Sequence, residues 1–142
     1  MRLPEKWLAM RFVDTNIFIH YLFPNVDLKK HEACALLFER ALKQEMKLWT
    51  SEWVIAELIW FLYRKKKPWN EIKSFIIDGI LKGQQVKVNK DSIVFEIVEN
   101  SKNDSDFIDY MNKYILSRKE IGEGYSYDKD LDKWKGFKRL EP

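Results

Sequence analysis

Residues 11–19 read Arg-Phe-Val-Asp-Thr-Asn-Ile-Phe-Ile. A short β-type run ends in an acid, a capping pair follows, and apolar residues then recur at helical spacing. The stretch predicts a strand feeding a helix, with Asp14 at the strand's carboxyl end. In parallel α/β sheets, ligands bind in the crevice outside those ends. Asp14 is therefore a site candidate. Asp14 and Thr15 are equally candidates for the helix N-cap, because both residue types accept bonds from the free amides of a first turn.

Strand and helix signals alternate along the rest of the chain. Residues 15–23 predict a short helix stopped by Pro24-Asn25. Residues 27–44 predict a second, with Ala33, Leu36, Leu37, Ala41 and Leu42 on one face and Cys34 as a small hydrophobe. His20 reads as a packed or surface residue, and His31 as one on the outer side. Lys47-Leu48-Trp49-Thr50 predicts a strand, after which Ser51 caps a helix over residues 52–67. Pro68 opens a helix to about Lys82, with Ile72, Phe75, Ile76 and Ile80 inward. Residues 85–88 alternate as a strand does. Asp91 or Ser92 then starts a helix carrying Ile93, Val94, Ile97 and Val98 inward. A further helix begins in the acidic stretch 103–109 and runs to about Lys119. Residues 121–127 make a poor strand, interrupted by Gly122-Glu123-Gly124, and residues 137–140 read as a last edge strand. This order argues for a mostly parallel sheet sandwiched by helices, a three-layer α/β/α arrangement. Residues 1–9 read as an extension and residues 10–142 as one domain.

Composition narrows the setting. A chain of 142 residues with one cysteine, Cys34, has no internal disulfide and no cysteine metal cluster, which points to a reducing cytoplasm. Its opening residues lack the apolar core of a signal peptide, and no run is long enough to span a bilayer. A net charge of +3 permits a polyanionic partner without demanding one.

The second site candidate is Glu57, a single acid within Trp53-Val54-Ile55-Ala56-Glu57-Leu58-Ile59-Trp60-Phe61-Leu62-Tyr63. A helix apolar on all faces is a buried helix, so Glu57 is expected to face the interior or a cleft. A carboxylate there needs a compensating cation. The bland alternative is an acid on a narrow wet stripe. Arg64, Lys65, Lys66 and Lys67 suit the end of the helix dipole, with polyanion contact as a second reading.

Two more positions follow the same logic. Asp106 and Asp109 share a helical face, and Asp128 ends a β-like run as Asp14 does. Four acids from distant segments would then converge at one sheet edge. At about 4 Å each pair repels by roughly 1–4 kcal/mol at effective dielectrics of 80 to 20. All-oxygen ligation with retained waters suits Mg²⁺ or Mn²⁺, and such ions promote phosphodiester hydrolysis.

Phe12-Val13-Asp14-Thr15-Asn16, the run from Thr50 to Glu57, Asp106-Phe107-Ile108-Asp109 and the run from Ser126 to Asp132 together resemble the four motifs of PIN-domain ribonucleases. The likeness is especially to the toxin nuclease of VapBC-type toxin–antitoxin pairs. The resemblance implies a five-stranded parallel sheet, Mg²⁺ or Mn²⁺, endonucleolytic cleavage of single-stranded RNA, a homodimer and an antitoxin protein as partner. It implies Asp14, Glu57, Asp109 and Asp128 as catalytic acids and metal ligands, with Asp106 as rival or helper to Asp109. Thr15, Asn16 and Ser126 take supporting roles. An RNA-processing nuclease without an antitoxin, and a non-catalytic PIN-like binding module, remain alternatives. A phosphoacceptor receiver would need an Asp near Val88, and a haloacid-dehalogenase-type phosphatase would need one where Asn16 stands.

Overall fold

The computed structural model describes residues 10–88, 93–102, 107, 109, 111–114, 116 and 119–142. The expected extension 1–9, the helix start at Asp91 or Ser92, and residues 103–106 with Asp106 lie outside the described residues. The chain divides into two compact units, one ending at Asn100 and the other beginning at Ser101.

The first unit starts with strand β1 (Met10–Phe12) and helix α1 (Thr15–Leu22). Helix α2 (Leu28–Leu42) and strand β2 (Lys47–Thr50) follow. Helix α3 (Glu52–Arg64), a short α4 (Trp69–Ser74) and a π-helical segment (Phe75–Leu81) lead to strand β3 (Val86–Val88) and helix α5 (Val94–Asn100). The three strands are parallel and lie in chain order across the sheet. Right-handed crossovers that always step the same way put their helices on the same face. The side chains agree. Leu48, Thr50 and Val86 are buried, whereas Phe12, Trp49 and Lys87, which stand in register on the opposite face, are exposed or half-buried. The buried face of this sheet is thus the one that carries Leu48, Thr50 and Val86.

The second unit is helical at Phe107, Asp109, 111–114 and Leu116. Strand β4 (Glu123–Tyr125), a 3₁₀ turn (Lys129–Lys133) and strand β5 (Lys138–Leu140) complete it. β4 and β5 pair in parallel with each other. Among the described residues the strands thus form sheets of three and two, and the expected single five-stranded sheet is corrected. The weak Gly-containing segment proves to be the strand itself. At Gly124 a Cβ would lie 3.0 Å from the Phe137 ring, so the missing side chain makes room for an aromatic cover.

The face that α2 buries differs from expectation. On α2 the buried residues are Cys34, Phe38 and Ala41, while Ala33, Leu36 and Leu42 are exposed. Phe38 decides this: its ring stacks on Phe18 at 5.6 Å and meets the edge of Tyr21 at 5.0 Å. One large aromatic buries more area than any single aliphatic residue it displaces. Burial also pushes the Cys34 thiol above its ordinary pKa.

Helix ends were harder to read because no glycine marks them. Gln44 and Lys66 adopt left-handed backbone with φ of 62° and 58°. Each sits in a paired-bond terminator. Glu45 N–H reaches Arg40 O and Gln44 N–H reaches Ala41 O, and Lys67 N–H reaches Leu62 O while Lys66 N–H reaches Tyr63 O. That is why α3 stops at Arg64 and not at Lys67. A residue with a Cβ costs about 1 kcal/mol in this conformation. Gln44→Gly should therefore raise unfolding stability by up to about 1 kcal/mol in urea titration. A fall in stability would show that the Gln44 side chain makes compensating contacts.

Candidate active site

The parallel ladder sets the first acid. Val13 N–H donates to Trp49 O at 2.8 Å, extending the pairing one residue past β1. The Thr50 hydroxyl donates back to Val13 O at 2.8 Å and is fully buried. These bonds hold the carboxyl ends of β1 and β2 side by side. Asp14 leaves one end and Ser51 the other, each in extended backbone and each capping the next helix. Asp14 Oδ1 accepts from Thr15 N–H at 2.8 Å, and Ser51 Oγ accepts from Val54 N–H at 3.3 Å. The capping role foreseen for Asp14 is thus real, and among the described residues it fixes the carboxylate through one of its two oxygens.

Thr15 and Asn16 flank that acid differently. Asn16 is exposed. Thr15 is buried and orients Asp14 through its amide; its hydroxyl is sealed from solvent with no hydrogen-bond partner among the described residues.

Glu57 is exposed, which corrects the expectation of an interior acid. α3 is amphipathic. Val54, Ile55, Leu58, Ile59 and Leu62 are buried, while Trp53, Glu57 and Trp60 stand on the outer face at spacings of four and three. Tryptophan misled the reading, since its hydropathy suggests a core that its position here does not join. The Glu57 carboxylate is solvated and carries no burial penalty needing a cation.

In the second unit Asp109 is half-buried within the helical residues, and Asp128 is exposed. Asp128 caps the 3₁₀ turn, with Oδ1 accepting from Asp130 N–H at 3.0 Å, and Ser126 Oγ accepts from Asp128 N–H at 3.0 Å. Arg139, which no sequence signal singles out, holds this loop. Its guanidinium donates to Ser126 O at 2.8 Å, to Asp132 at 2.9 Å and to Glu141 at 2.8 Å. Those carboxylates keep its pKa above the ordinary arginine value. Asp132 is thereby committed to Arg139 and Asp130 lies 3.7 Å from Lys133 Nζ, which leaves Asp128 as the third acid of the turn.

Carboxylate oxygens are hard donors, and no thiolate competes, since Cys34 is buried in α2. The donor chemistry fits a hard divalent cation. Among the described residues, no three His, Cys, Asp or Glu side chains group closely enough to hold a metal ion.

Residues 11–111 match the PIN domain family. The chain belongs to that family. PIN domains are generally nucleases, and they typically use divalent metal ions. The match takes in Asp14, Glu57, Asp106 and Asp109 and ends before Asp128. No match emerges among curated proteins or among solved structures. Among the described residues no helix is long and apolar enough to cross a membrane.

The Thr50 hydroxyl clamp generates a stability test. Thr50→Val keeps the shape and strips a buried bond to Val13 O, so unfolding stability should fall by about 1–2 kcal/mol. An unchanged urea midpoint would mean the clamp contributes nothing.

Proposed function

We propose that this PIN-domain chain is a metal-dependent endoribonuclease that cleaves single-stranded RNA, and that it is the toxin of a VapBC-type toxin–antitoxin pair. The observation that carries the reading is the family match over residues 11–111, which spans three acid motifs in order. The juxtaposed ends of β1 and β2 support it, because they present Asp14 where α/β proteins bind ligands.

In this reading Asp14, Glu57, Asp109 and Asp128 hold Mg²⁺ or Mn²⁺, with Asp106 assisting. When bound, such an ion neutralises phosphate charge and activates water for hydrolysis of the phosphodiester. The protein's own work is positional. Thr15 N–H fixes the Asp14 carboxylate, leaving its second oxygen as a donor. Arg139 and Ser126 fix the backbone that carries Asp128. Glu57, on an exposed helix face, is open to a polymer. A cytoplasmic homodimer with an antitoxin partner completes the proposal.

One observation favours a second reading, a non-catalytic binding module. Asp14 and Asp128 each commit an oxygen to a cap, a task that accounts for an acid at those positions without catalysis. Titration with Mn²⁺ separates the two, since a binding module takes up no ion at millimolar concentration.

The decisive assay is cleavage of end-labelled single-stranded RNA with Mg²⁺ or Mn²⁺. Chelation should stop it, and Asp14→Asn should lower the rate at least ~100-fold. Asn caps about as well as Asp, so the variant should stay within about 0.5 kcal/mol of the parent in stability. Full activity in a folded Asp14→Asn protein rejects the proposal.

A further inference from the structure

We propose that the exposed face of α3 binds single-stranded RNA, with bases stacking on Trp53, Trp60 and Tyr63 and phosphates held by Arg64, Lys65, Lys66 and Lys67. This rests on the nuclease reading above and deepens it by naming the groups that hold the substrate.

Three large rings are left in water on one helix: Trp53 is 70% exposed, Trp60 54% and Tyr63 47%. Single exposed hydrophobes are ordinary, but a row of aromatic rings within three turns of one helix is a contact surface. The Trp60 and Tyr63 rings lie 5.8 Å apart, tilted by 36°. Glu57 stands on the same face, four residues after Trp53 and three before Trp60. A strand delivered to Glu57 for cleavage lies between two indole rings.

The charge beyond the rings decides the kind of occupant. Arg64, Lys65, Lys66 and Lys67 follow directly and are exposed. None of the four is ion-paired among the described residues. Lys65 lies 5.5 Å over the Phe61 ring and Lys67 5.5 Å over the Phe23 ring, which fixes two of these cations at the end of the helix. The cores of protein–protein interfaces are depleted in Lys and Glu, whereas here Glu57 stands among the aromatics and three lysines follow them. Single-stranded nucleic acid uses this combination, because every base has a face to stack and every linkage a charge to neutralise. Stacking on open rings also tolerates sequence, so the face supplies affinity without selecting bases.

The test uses the full chain carrying Asp14→Asn, which binds without cutting, and a fluorescein-labelled oligouridylate of about 12 nucleotides followed by anisotropy. Trp53→Ala and Trp60→Ala should each weaken binding about tenfold, and Trp53→Phe and Trp60→Phe should restore most of it. Replacing Lys65 and Lys66 by Gln should make the plot of log affinity against log salt shallower, by about 0.7 for each phosphate left without its cation. Unchanged affinity in the alanine variants, with cleavage intact when Asp14 is restored, overturns this proposal and leaves the nuclease reading standing. Failure of the Asp14→Asn parent to bind any RNA overturns both. Alanine variants that turn a dimer into a monomer by light scattering, with RNA affinity unaltered, overturn it in favour of a second copy of the chain on this face.

Discussion

The parallel register between β1 and β2 is the constraint on which the first unit depends. Met10, Arg11 and Phe12 lie opposite Lys47, Leu48 and Trp49. The clamp from Thr50 to Val13 continues that register to the last residue before Asp14. A slip of one residue would turn Leu48 and Thr50 out of the core and put Trp49 in. It would also separate the two caps that start α1 and α3. The same bonds therefore choose the core, launch two helices and position an acid.

Strand order then limits what the helices can cover. With β1, β2 and β3 in sequence, one face receives the crossovers and the other keeps Phe12 and Trp49, whose rings contact at 5.7 Å. The amphipathic helix α3 divides in the same way, with aliphatic residues toward the sheet and indoles outward. Neither open aromatic surface is a packing failure, since a run of apolar side chains from Val13 to Val98 already fills the core of this unit.

Much of this was legible in the sequence. The runs at 11–13, 47–50 and 85–88 announced three strands to within a residue, because β-branched and aromatic residues were bounded by Asp, Ser and Gly. Asp14 and Ser51 announced helix starts by side-chain chemistry that acts within three residues. Non-local facts were not legible. Phe38 is inward because Phe18 and Tyr21 are there to receive it. Glu57 is solvated because indole neighbours, counted as core, face water with it. β4 read only as a poor strand through Gly124, since the reason for that glycine, the Phe137 ring, lies beside the neighbouring strand. Arg139 had no signature, because a guanidinium that braces a distant loop looks like any terminal basic residue until Ser126 and Asp132 are found beside it. As for the acids, the sequence named them, the family match covers the segments that carry the first three motifs, and each unit by itself carries two of the four.

The pairing of β4 with β5 has a thermodynamic consequence. Two three-residue strands are marginal on their own, and so short a segment has little apolar area with which to resist opening. Local unfolding there costs less free energy than melting the three-stranded unit. Asp128 follows the first strand of this short pair and Asp14 follows the three-stranded register, so, if both hold the ion as proposed, warming would loosen one ligand while most of the secondary structure persists.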